Sequence, residues 1–311
     1  MTIGHTDSQT GTTLCNLSQF ATLRVSGSDA HSFLQNLLSN DIREVSATQA
    51  QYSSFNTAKG RMLASFLIWR DADDYLLQLP EALSDALRKK LGMYVLRAKV
   101  KITDARNEVI SLGLSGLHPA LPATCLELPV MGVIESAELA CSIIKIGDAR
   151  FMLNCAPEQQ PQLVAALNSR IIGSDTWDWL NIRAGTPVIL PRTQEQFVPQ
   201  MVNFDLIGGI NFKKGCYPGQ EIVARMHYLG KPKRRMYLAH SLSEANPGDE
   251  LYSEEMIDQA CGMIVNAAPA PTGGFDVLAV VQITSRAAHP VHVHSLQGPV
   301  LAFESLPYPL P

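Results

Sequence analysis

The sequence predicts an α+β fold whose last quarter forms a separate all-β domain. Two strands joined by a tight turn and followed by a helix occur twice, over residues 61–95 and 142–168. This repetition indicates an internal duplication of an α+β unit. After Arg235, short apolar strands predicted over 236–240, 262–266, 277–281, 291–294 and 300–303 alternate with turns rich in proline and glycine, as in a small β-barrel. At 311 residues the chain is also too long for one compact core, so we expect several domains.

The first unit alternates strands and helices. Helices are predicted from apolar residues at intervals of three and four, and strands from β-branched and aromatic runs between turn residues. Ser28 or Asp29 fits the N-cap of the first helix, because a short oxygen-bearing side chain accepts from first-turn N–H groups. In order, we predict a strand over 20–25, a helix after Gly27, a strand over 51–56, a hairpin over 62–79, a helix over 81–95 and a strand over 98–102.

The second unit follows the same plan. We predict a strand over 109–114, a loop over 118–129, a hairpin over 142–154 and a helix over 157–167. A short helix opens at 175–178 and ends at Gly185. The irregular segment over 186–212 is long for a loop, and such loops are often functional.

Composition bounds the class of protein. Residues 1–13 are polar and lack the layout of a signal peptide, and no apolar run approaches the length of a membrane span, so we expect a cytoplasmic protein. Six scattered cysteines without a Cys-x-x-Cys pair argue against a disulfide framework or a self-contained metal site. His292 and His294 share one face of a predicted strand and can bind a metal. An ordinary solvent-facing strand is the better interpretation, and we predict no resident metal.

The segment from Lys213 to Arg235 is the most distinctive in the chain. It holds seven basic residues and one acid, Glu221, although the chain carries a net charge of −4. Such a segment indicates an anionic ligand or partner. Pro218 suits the first turn of a helix, and Glu221 and Arg225 are spaced for an ion pair. The predicted apolar face of that helix consists of Ile222, Val223, Met226 and Leu229.

Cys216 lies just before this predicted helix, beside two lysines. The helix dipole and the lysine charges both favour a thiolate, so we expect the pKa of Cys216 to fall and its reactivity to rise. The alternative is a small buried residue in a glycine-bounded turn between two domains.

The run Lys214 to Glu221, KGCYPGQE, closely resembles the K-G-C-Y-x-G-Q-E signature of the YgfZ family. These proteins are similar to the T-protein (aminomethyltransferase) of the glycine cleavage system. Residues 23–29, 182–189, 197–200 and 306–308 also fit the family. The resemblance implies a three-domain, GcvT-like ring around a central hole, with a C-terminal β-barrel. We divide the chain into an α+β folate-binding domain over 1–110, a second α+β unit over 111–200, the linking signature segment over 201–235 and the β-barrel over 236–311.

The resemblance also implies a ligand, tetrahydrofolate or a derivative, held in the hole. Trp177 matches a family tryptophan that lies against the folate, whereas the residues alone favour a core role. Phe20 stands where the bacterial pattern has a second tryptophan, so it retains an aromatic face without the N–H donor. Tyr217 and Arg225 complete the expected folate contacts, since the carboxylates of the glutamate tail need cationic partners.

The implied role is assistance to the assembly or repair of iron–sulfur clusters in partner enzymes, including a tRNA methylthiotransferase. In this hypothesis the Cys216 thiolate lies at the mouth of the folate chamber and transiently contacts a cluster, a persulfide or a partner's thiol. Lys214 and the helix start keep the thiol ionised, while Gln220 and Glu221 orient the turn. We expect a monomer that binds no membrane.

Two alternatives were weighed against this role. A folate-dependent aminomethyltransferase needs the Asp pair that T-proteins carry in the first hairpin, and here Ala64 and Ser65 replace it. Without that carboxylate the proton transfer has no evident agent, so the accessory role is favoured. Direct tRNA binding would use Lys231 and residues 233–235. A basic patch alone gives unspecific, salt-sensitive affinity, and no RNA-binding module is visible, so we expect no direct nucleic-acid binding.

Overall fold

The computed structural model describes residues 11–230, 232–256 and 259–311. Within these residues the chain forms three β-sheets, with helices against the first two sheets and between the second and third. The helices are α1 Ala30–Gln35, α2 Glu81–Gly92, α3 Thr124–Glu127, α4 Gln160–Leu167, α5 Ser174–Arg183, α6 Gln220–Tyr228 and α7 Ile283–Ala288. The strands are β1 Thr13–Asn16, β2 Phe20–Ser26, β3 Gln51–Asn56, β4 Met62–Asp71, β5 Asp74–Pro80, β6 Lys101–Asp104, β7 Ile110–Ser115, β8 Val133–Ser136, β9 Cys141–Gly147, β10 Arg150–Cys155, β11 Arg170–Ile171, β12 Arg234–Ser241, β13 Glu250–Tyr252, β14 Gly262–Pro269, β15 Phe275–Gln282, β16 His292–Val293 and β17 Ala302–Glu304.

The first sheet is antiparallel, in the order β3-β4-β5-β2-β6. Its core lies between one face of the sheet and the helices α1 and α2, and includes Leu34, Phe55 and Leu87. The predicted strand over 51–56 and the hairpin over 62–79 are confirmed, because turn residues separate runs that favour extended chain. The helix predicted to reach residue 95 ends at Gly92, and the strand predicted over 98–102 begins only at Lys101.

The second sheet repeats the strand order of the first. Its order is β8-β9-β10-β7-β1-β11. Strands β8, β9, β10, β7 and β11 occupy the places of β3, β4, β5, β2 and β6 in the first sheet, and β1 is inserted between β7 and β11. Helix α4 follows the hairpin β9–β10 as α2 follows β4–β5. The predicted duplication is therefore confirmed. The inserted β1 also places residues 13–16 in the second sheet, across the predicted boundary at residue 110.

The third sheet has the order β16-β13-β14-β15-β12-β17 and curls into a half-barrel at the C-terminal end of the chain. The strands predicted over 236–240, 262–266 and 277–281 lie within β12, β14 and β15. The strand predicted over 291–294 is shorter, because His294 adopts a left-handed backbone with φ of 69°.

The segment between α5 and α6 fills the space where the sheets meet. A hydrophobic cluster there joins Met62 of β4, Ile182 of α5, Phe204 of this segment and Leu278 of β15. Within the described residues, none of the helices is long and apolar enough to cross a membrane. Residues of all three sheets, among them Leu67 of β4, Met152 of β10 and Asn266 of β14, border the space at the centre of the molecule.

Candidate functional site

A cleft, here called the Trp177 cleft, opens at this centre. It has two adjoining compartments, both bordered by Phe20, Pro80 and Asn181. The first is walled by β4, β5, β10 and α5, and the second reaches β14 at Asn266. The cavity volume is about 50 Å³ in the first compartment and about 100 Å³ in the second. Both volumes are below those of typical small-molecule sites, so a ligand would lie largely in the open mouth of the cleft.

The two aromatic residues predicted to contact a ligand border the same cleft. Trp177 is 2% exposed, and the guanidinium of Arg150 lies 4.6 Å from the centre of its ring. Phe20, at the start of β2, is half-buried and borders both compartments. The structure therefore brings Trp177 and Phe20 together, and Trp177 is at once a core residue and part of the cleft wall.

Two buried polar atoms of the cleft have no hydrogen-bond partner among the described residues. These atoms are Gln78 Nε2 in the first compartment and Gln19 Oε1 in the second. Gln19 donates its other amide group to Asp178 Oδ1 at 3.1 Å. Burial raises the pKa of Asp178, and this hydrogen bond only partly opposes the effect. Because an unpaired buried polar atom is costly, these groups favour a polar ligand in the cleft.

Arg150 stands behind the cleft wall without a carboxylate partner among the described residues. It donates to Leu180 O at 3.1 Å and to Asn181 Oδ1 at 2.6 Å, while its Nε–H is buried and unpaired. Burial lowers the pKa of Arg150 to about 10. Since Arg150 occupies the amide oxygen of Asn181, the amide nitrogen of Asn181 keeps its donors for the cleft.

The positions that carry the Asp pair in T-proteins lie on β4. Ala64 is fully buried, and Ser65 borders the cleft with its Oγ accepting from Ile189 N at 3.1 Å. Among the described residues that border either compartment, the acidic side chain is Asp178. The cleft is thus apolar with a few amide groups and one carboxyl group.

Lys214 anchors the signature segment to the first domain. Its ammonium donates to Gln35 O at 2.7 Å, Leu38 O at 2.5 Å and Asn40 O at 2.9 Å, and it lies 5.2 Å from the ring centre of Tyr217. Burial lowers the pKa of Lys214 to about 8. These carbonyl groups engage the ammonium of Lys214, while its role in keeping Cys216 ionised stays a prediction.

The turn before α6 packs against the β3–β4 hairpin. Gly219, with φ of 79°, is the N-cap of α6, so Pro218 lies before the helix and not in its first turn as predicted. A Cβ at Gly219 would lie 2.5 Å from Gly60 Cα and 2.5 Å from Thr57 O. Only glycine permits both this φ and this approach. Gln220 supports the same turn by donating to Lys214 O at 3.4 Å.

Cys216 is exposed, whereas the other five cysteines are buried. The alternative of a buried small residue is therefore wrong. Glu221 and Arg225 lie exposed on α6, and the ion pairs of the described residues do not include the predicted pair between them. Tyr217 is 7% exposed and packs inward. Of the predicted apolar face of α6, Val223 is buried, while Ile222 and Leu229 are exposed.

The signature segment does not border the Trp177 cleft. None of the described residues over 213–235 lines either compartment, so Cys216, Tyr217 and Arg225 are not brought to Trp177. This differs from the expectation that the thiol sits at the mouth of the ligand chamber. Strand β4 connects the signature segment to the cleft. It starts at Met62, close to Gly60, and its residues Ser65 to Leu67 form part of the cleft wall. About 17 Å of extended chain separates Met62 from Leu67.

No group of three or more metal-ligating side chains that could hold a metal ion occurs among the described residues. His292 Nδ1 lies 2.9 Å from Gly298 O, and His294 Nε2 lies 2.9 Å from Asp249 Oδ2. These contacts agree with the interpretation of both histidines as ordinary parts of the third sheet.

Sequence reasoning did not identify the polar residues of the cleft. Gln19 and Asp178 are the sequence neighbours of Phe20 and Trp177, and that adjacency was the available signal. Arg150 and Gln78 could not be identified as cleft residues from the sequence. Their role depends on hydrogen bonds to residues far away in the chain, and on donors that the fold leaves without a partner.

A family model described as the GCVT N-terminal domain matches residues 3–120. A "tRNA-modifying protein YgfZ" from Enterobacter sp. (strain 638) is 32% identical over 76% of this chain and 75% of its own length. One from Yersinia pseudotuberculosis serotype IB (strain PB1/+) is 30% identical over 96% of this chain and 93% of its own.

The structure resembles the glycine cleavage system aminomethyltransferase T from Bartonella henselae, with a TM-score of 0.76 over 96% of this chain and 87% of that one. At 18% identity this likeness shows the fold alone, and it confirms the predicted GcvT-like fold class. Given the similarity to the two relatives and the signature from Lys214 to Glu221, the chain belongs to the YgfZ family.

Proposed function

We propose that this protein is a folate-binding accessory factor that supports iron–sulfur cluster assembly or repair, and thereby tRNA thiomethylation. The observation that carries the proposal is that Phe20 and Trp177 border the same cleft, and that this cleft contains buried polar atoms without a hydrogen-bond partner among the described residues. The relatives are described as tRNA-modifying proteins, which supports a role connected with tRNA modification.

The residues of the cleft fit a pterin. Gln19 Oε1 and the free oxygen of Asp178 accept hydrogen bonds, while Gln78 Nε2 and Asn181 Nδ2 donate them. A pterin ring offers both donors and acceptors along its edges, and the aromatic ring of Phe20 offers it a flat face. A bound tetrahydrofolate would supply a one-carbon carrier to this protein, and the residues named here would hold and orient it.

Cys216 supplies the reactive group in this proposal. It is exposed on a turn that Lys214 and Gly219 fix in place, so a partner can reach its sulfur without unfolding the protein. An accessible thiolate can act as a transient ligand to cluster iron. The client enzymes of this factor are iron–sulfur proteins, with a tRNA methylthiotransferase as the expected example.

Calorimetric titration with tetrahydrofolate under anaerobic conditions tests the ligand. We expect Phe20→Ala to weaken binding about fivefold, the effect of losing about 1 kcal/mol of aromatic contact. Phe212→Ala is the matched control, because Phe212 is also half-buried but stacks on His227 at 3.7 Å outside the cleft. Equal binding by wild type and Phe20→Ala, or no binding by wild type, would contradict the folate assignment.

Complementation in cells tests the role. A strain lacking its own family member is supplied with wild type or Cys216→Ser, and thiomethylated nucleosides in tRNA are measured by mass spectrometry at matched protein abundance. We expect wild type to restore the modification and Cys216→Ser to fail. Full restoration by Cys216→Ser would exclude the thiol mechanism.

The alternative of aminomethyl transfer is favoured by one observation, the carboxyl group of Asp178 in the second compartment. A transferase needs a group that handles the proton at the reacting nitrogen. Incubation of the pure protein with an aminomethyl-lipoyl donor and tetrahydrofolate distinguishes the two functions. We expect no methylene-tetrahydrofolate to form; formation that Asp178→Asn abolishes would establish the transferase instead.

A further inference from the structure

Two segments far apart in the sequence, residues 88–101 and 213–234, lie on the same side of the first sheet. The ring of Tyr94 packs edge-on against Phe55 at 5.8 Å, and Phe55 forms a β-bridge with Leu38. The carbonyl of Leu38 in turn accepts from Lys214 Nζ. These contacts link the end of α2 to the signature segment, and we call their combined exposed surface the basic face.

The basic face concentrates unpaired positive charge. The first segment holds six basic residues and no acid, in a chain of net charge −4. In these two segments, none of the exposed lysine and arginine side chains that the structure describes forms an ion pair. They are Lys89, Arg97, Lys99, Lys101, Lys213, Arg225 and Lys233. Lys231 falls outside the described residues. Because charges of one sign so grouped repel one another, this surface fits a partner of opposite charge.

The same face carries large apolar side chains in water. Six of the thirteen exposed large hydrophobic residues described lie in these two segments. They are Met93 at 67%, Tyr94 at 43%, Leu96 at 88%, Ile222 at 39%, Tyr228 at 63% and Leu229 at 84% exposed. Exposed apolar side chains among unpaired charges are typical of a protein–protein contact.

We propose that the basic face docks an acidic protein. The proposal rests on the proposed function: the docked protein is the client that receives or regains the cluster, and Cys216 lies within the contact. An RNA partner would stack its bases on exposed aromatic rings, and two of the six exposed apolar side chains here, Tyr94 and Tyr228, are aromatic. The other four are aliphatic, and the two most exposed, Leu96 and Leu229, suit apolar pockets on a protein. In this proposal the exposed leucines contribute most of the affinity for the client, and the surrounding lysines and arginines favour a client with an acidic surface.

Binding to a purified, cluster-free tRNA methylthiotransferase tests this docking surface, measured by biolayer interferometry at low and physiological salt. We expect Leu229→Asp and Leu96→Asp each to weaken binding at least tenfold. Arg225→Glu should weaken binding mainly at low salt, because salt screens exposed charges. Leu242→Asp is the matched control, since Leu242 is 86% exposed but lies outside the basic face, and it should bind within twofold of wild type.

Three results would overturn the docking proposal. The first is that wild type binds no client, and the second is that Leu229→Asp and Leu96→Asp bind the client as wild type does. The third is that wild type binds a tRNA transcript more tightly than the client and that both variants weaken this binding. Each is distinguishable from failure of the proposed function. If Leu229→Asp binds the client normally while Cys216→Ser abolishes thiomethylation, only the docking surface is wrong. If wild type neither binds tetrahydrofolate nor restores thiomethylation, the proposed function itself is wrong.

Discussion

Gly113 of β7 lies directly against the indole ring of Trp177. A Cβ added at Gly113 would stand 2.5 Å from Cη2 and 2.6 Å from Cζ2 and Cζ3 of that ring. The ring cannot easily retreat, because it is 2% exposed and Arg150 covers one face at 4.6 Å. The second sheet therefore sets the position of the tryptophan that borders the cleft.

Gly113→Ala should displace this ring. Overpacking of a filled core costs about 1–3 kcal/mol, so we expect the free energy of unfolding to fall by that amount and tetrahydrofolate binding to weaken. Urea denaturation and calorimetry measure the two effects. Gly92→Ala is the control, since an added Cβ there meets nothing within 4 Å, and it should leave both quantities unchanged. Normal folate binding by a destabilised Gly113→Ala would show that Trp177 is not a ligand contact.

Gly219→Ala should disrupt the turn that presents Cys216. Its φ of 79° costs a residue with a side chain about 1–2 kcal/mol, and its Cβ would collide with the backbone at Thr57 and Gly60. We expect lower stability and faster alkylation of Cys216 by iodoacetamide as the turn loosens. Gly215→Ala, in the same turn with no atom within 4 Å of an added Cβ, should behave as wild type. Similar alkylation rates in both variants would argue against a fixed turn.

Lys214→Met should destabilise the protein strongly. It removes the donor that serves three backbone carbonyl groups, and the unfolding free energy should fall by on the order of 3 kcal/mol. The matched control is Lys213→Met, because the neighbouring Lys213 is exposed and its side chain forms no described hydrogen bond; its effect should stay within about 0.5 kcal/mol. Equal urea midpoints for the two variants would contradict the anchoring role.

Asp41 should govern part of the acid sensitivity of the fold. Hydrogen bonds from the Arg43 side chain, with Nε 2.9 Å from Oδ1, lower the pKa of Asp41 from its ordinary 3.8 to about 2. A carboxyl group with a lowered pKa stabilises the fold above its ordinary pKa, and that stability is lost as pH falls toward 2.

We therefore expect Asp41→Asn to be less stable than wild type at pH 7 and to lose less stability between pH 4 and pH 2, as followed by circular dichroism in urea. Asp85→Asn is the control, because Asp85 is 68% exposed and its pair with Arg88 is 3.4 Å long. A parallel pH profile for wild type and Asp41→Asn would contradict this contribution.

The hairpins and the duplication could be predicted because their signals are local. Turn residues and apolar runs a few residues apart define β4–β5 and β9–β10. The insertion of β1 into the second sheet had no such signal: Thr13 pairs with Arg170, in parallel, across more than half the chain. Periodicity along α6 correctly gave a helix, but it could not tell whether anything covers the apolar face, and Leu229 is 84% exposed.

The site shows the same limit. Trp177 was assigned to the ligand through a family match, whereas Cys216 was singled out by its neighbouring lysines and helix start and then by the family signature. Lys214 was assigned to the neighbouring thiol because only near neighbours are visible in a sequence, whereas its acceptors lie 174 to 179 residues away. A buried ammonium takes the partners that the fold delivers, so its role depends on tertiary structure.

Asp276→Ala should loosen the cleft from its far side. The buried carboxylate of Asp276 accepts from Trp179 Nε1 at 2.7 Å and Arg183 Nη1 at 3.4 Å, both on α5, and pairs with His240 Nδ1 of β12 at 2.8 Å. It thereby ties the helix that carries Trp177 to the third sheet. Removing one partner of a buried charged network costs about 3–5 kcal/mol, because the donors left behind stay unpaired. We expect a loss of that size in urea denaturation, with weaker tetrahydrofolate binding.

Glu304→Ala is the matched control, since Glu304 contacts the same Arg183 at 2.6 Å but is 40% exposed, and its loss should cost less than about 1 kcal/mol. If the two variants were equally stable, the tie between α5 and the third sheet would have to lie in apolar packing instead.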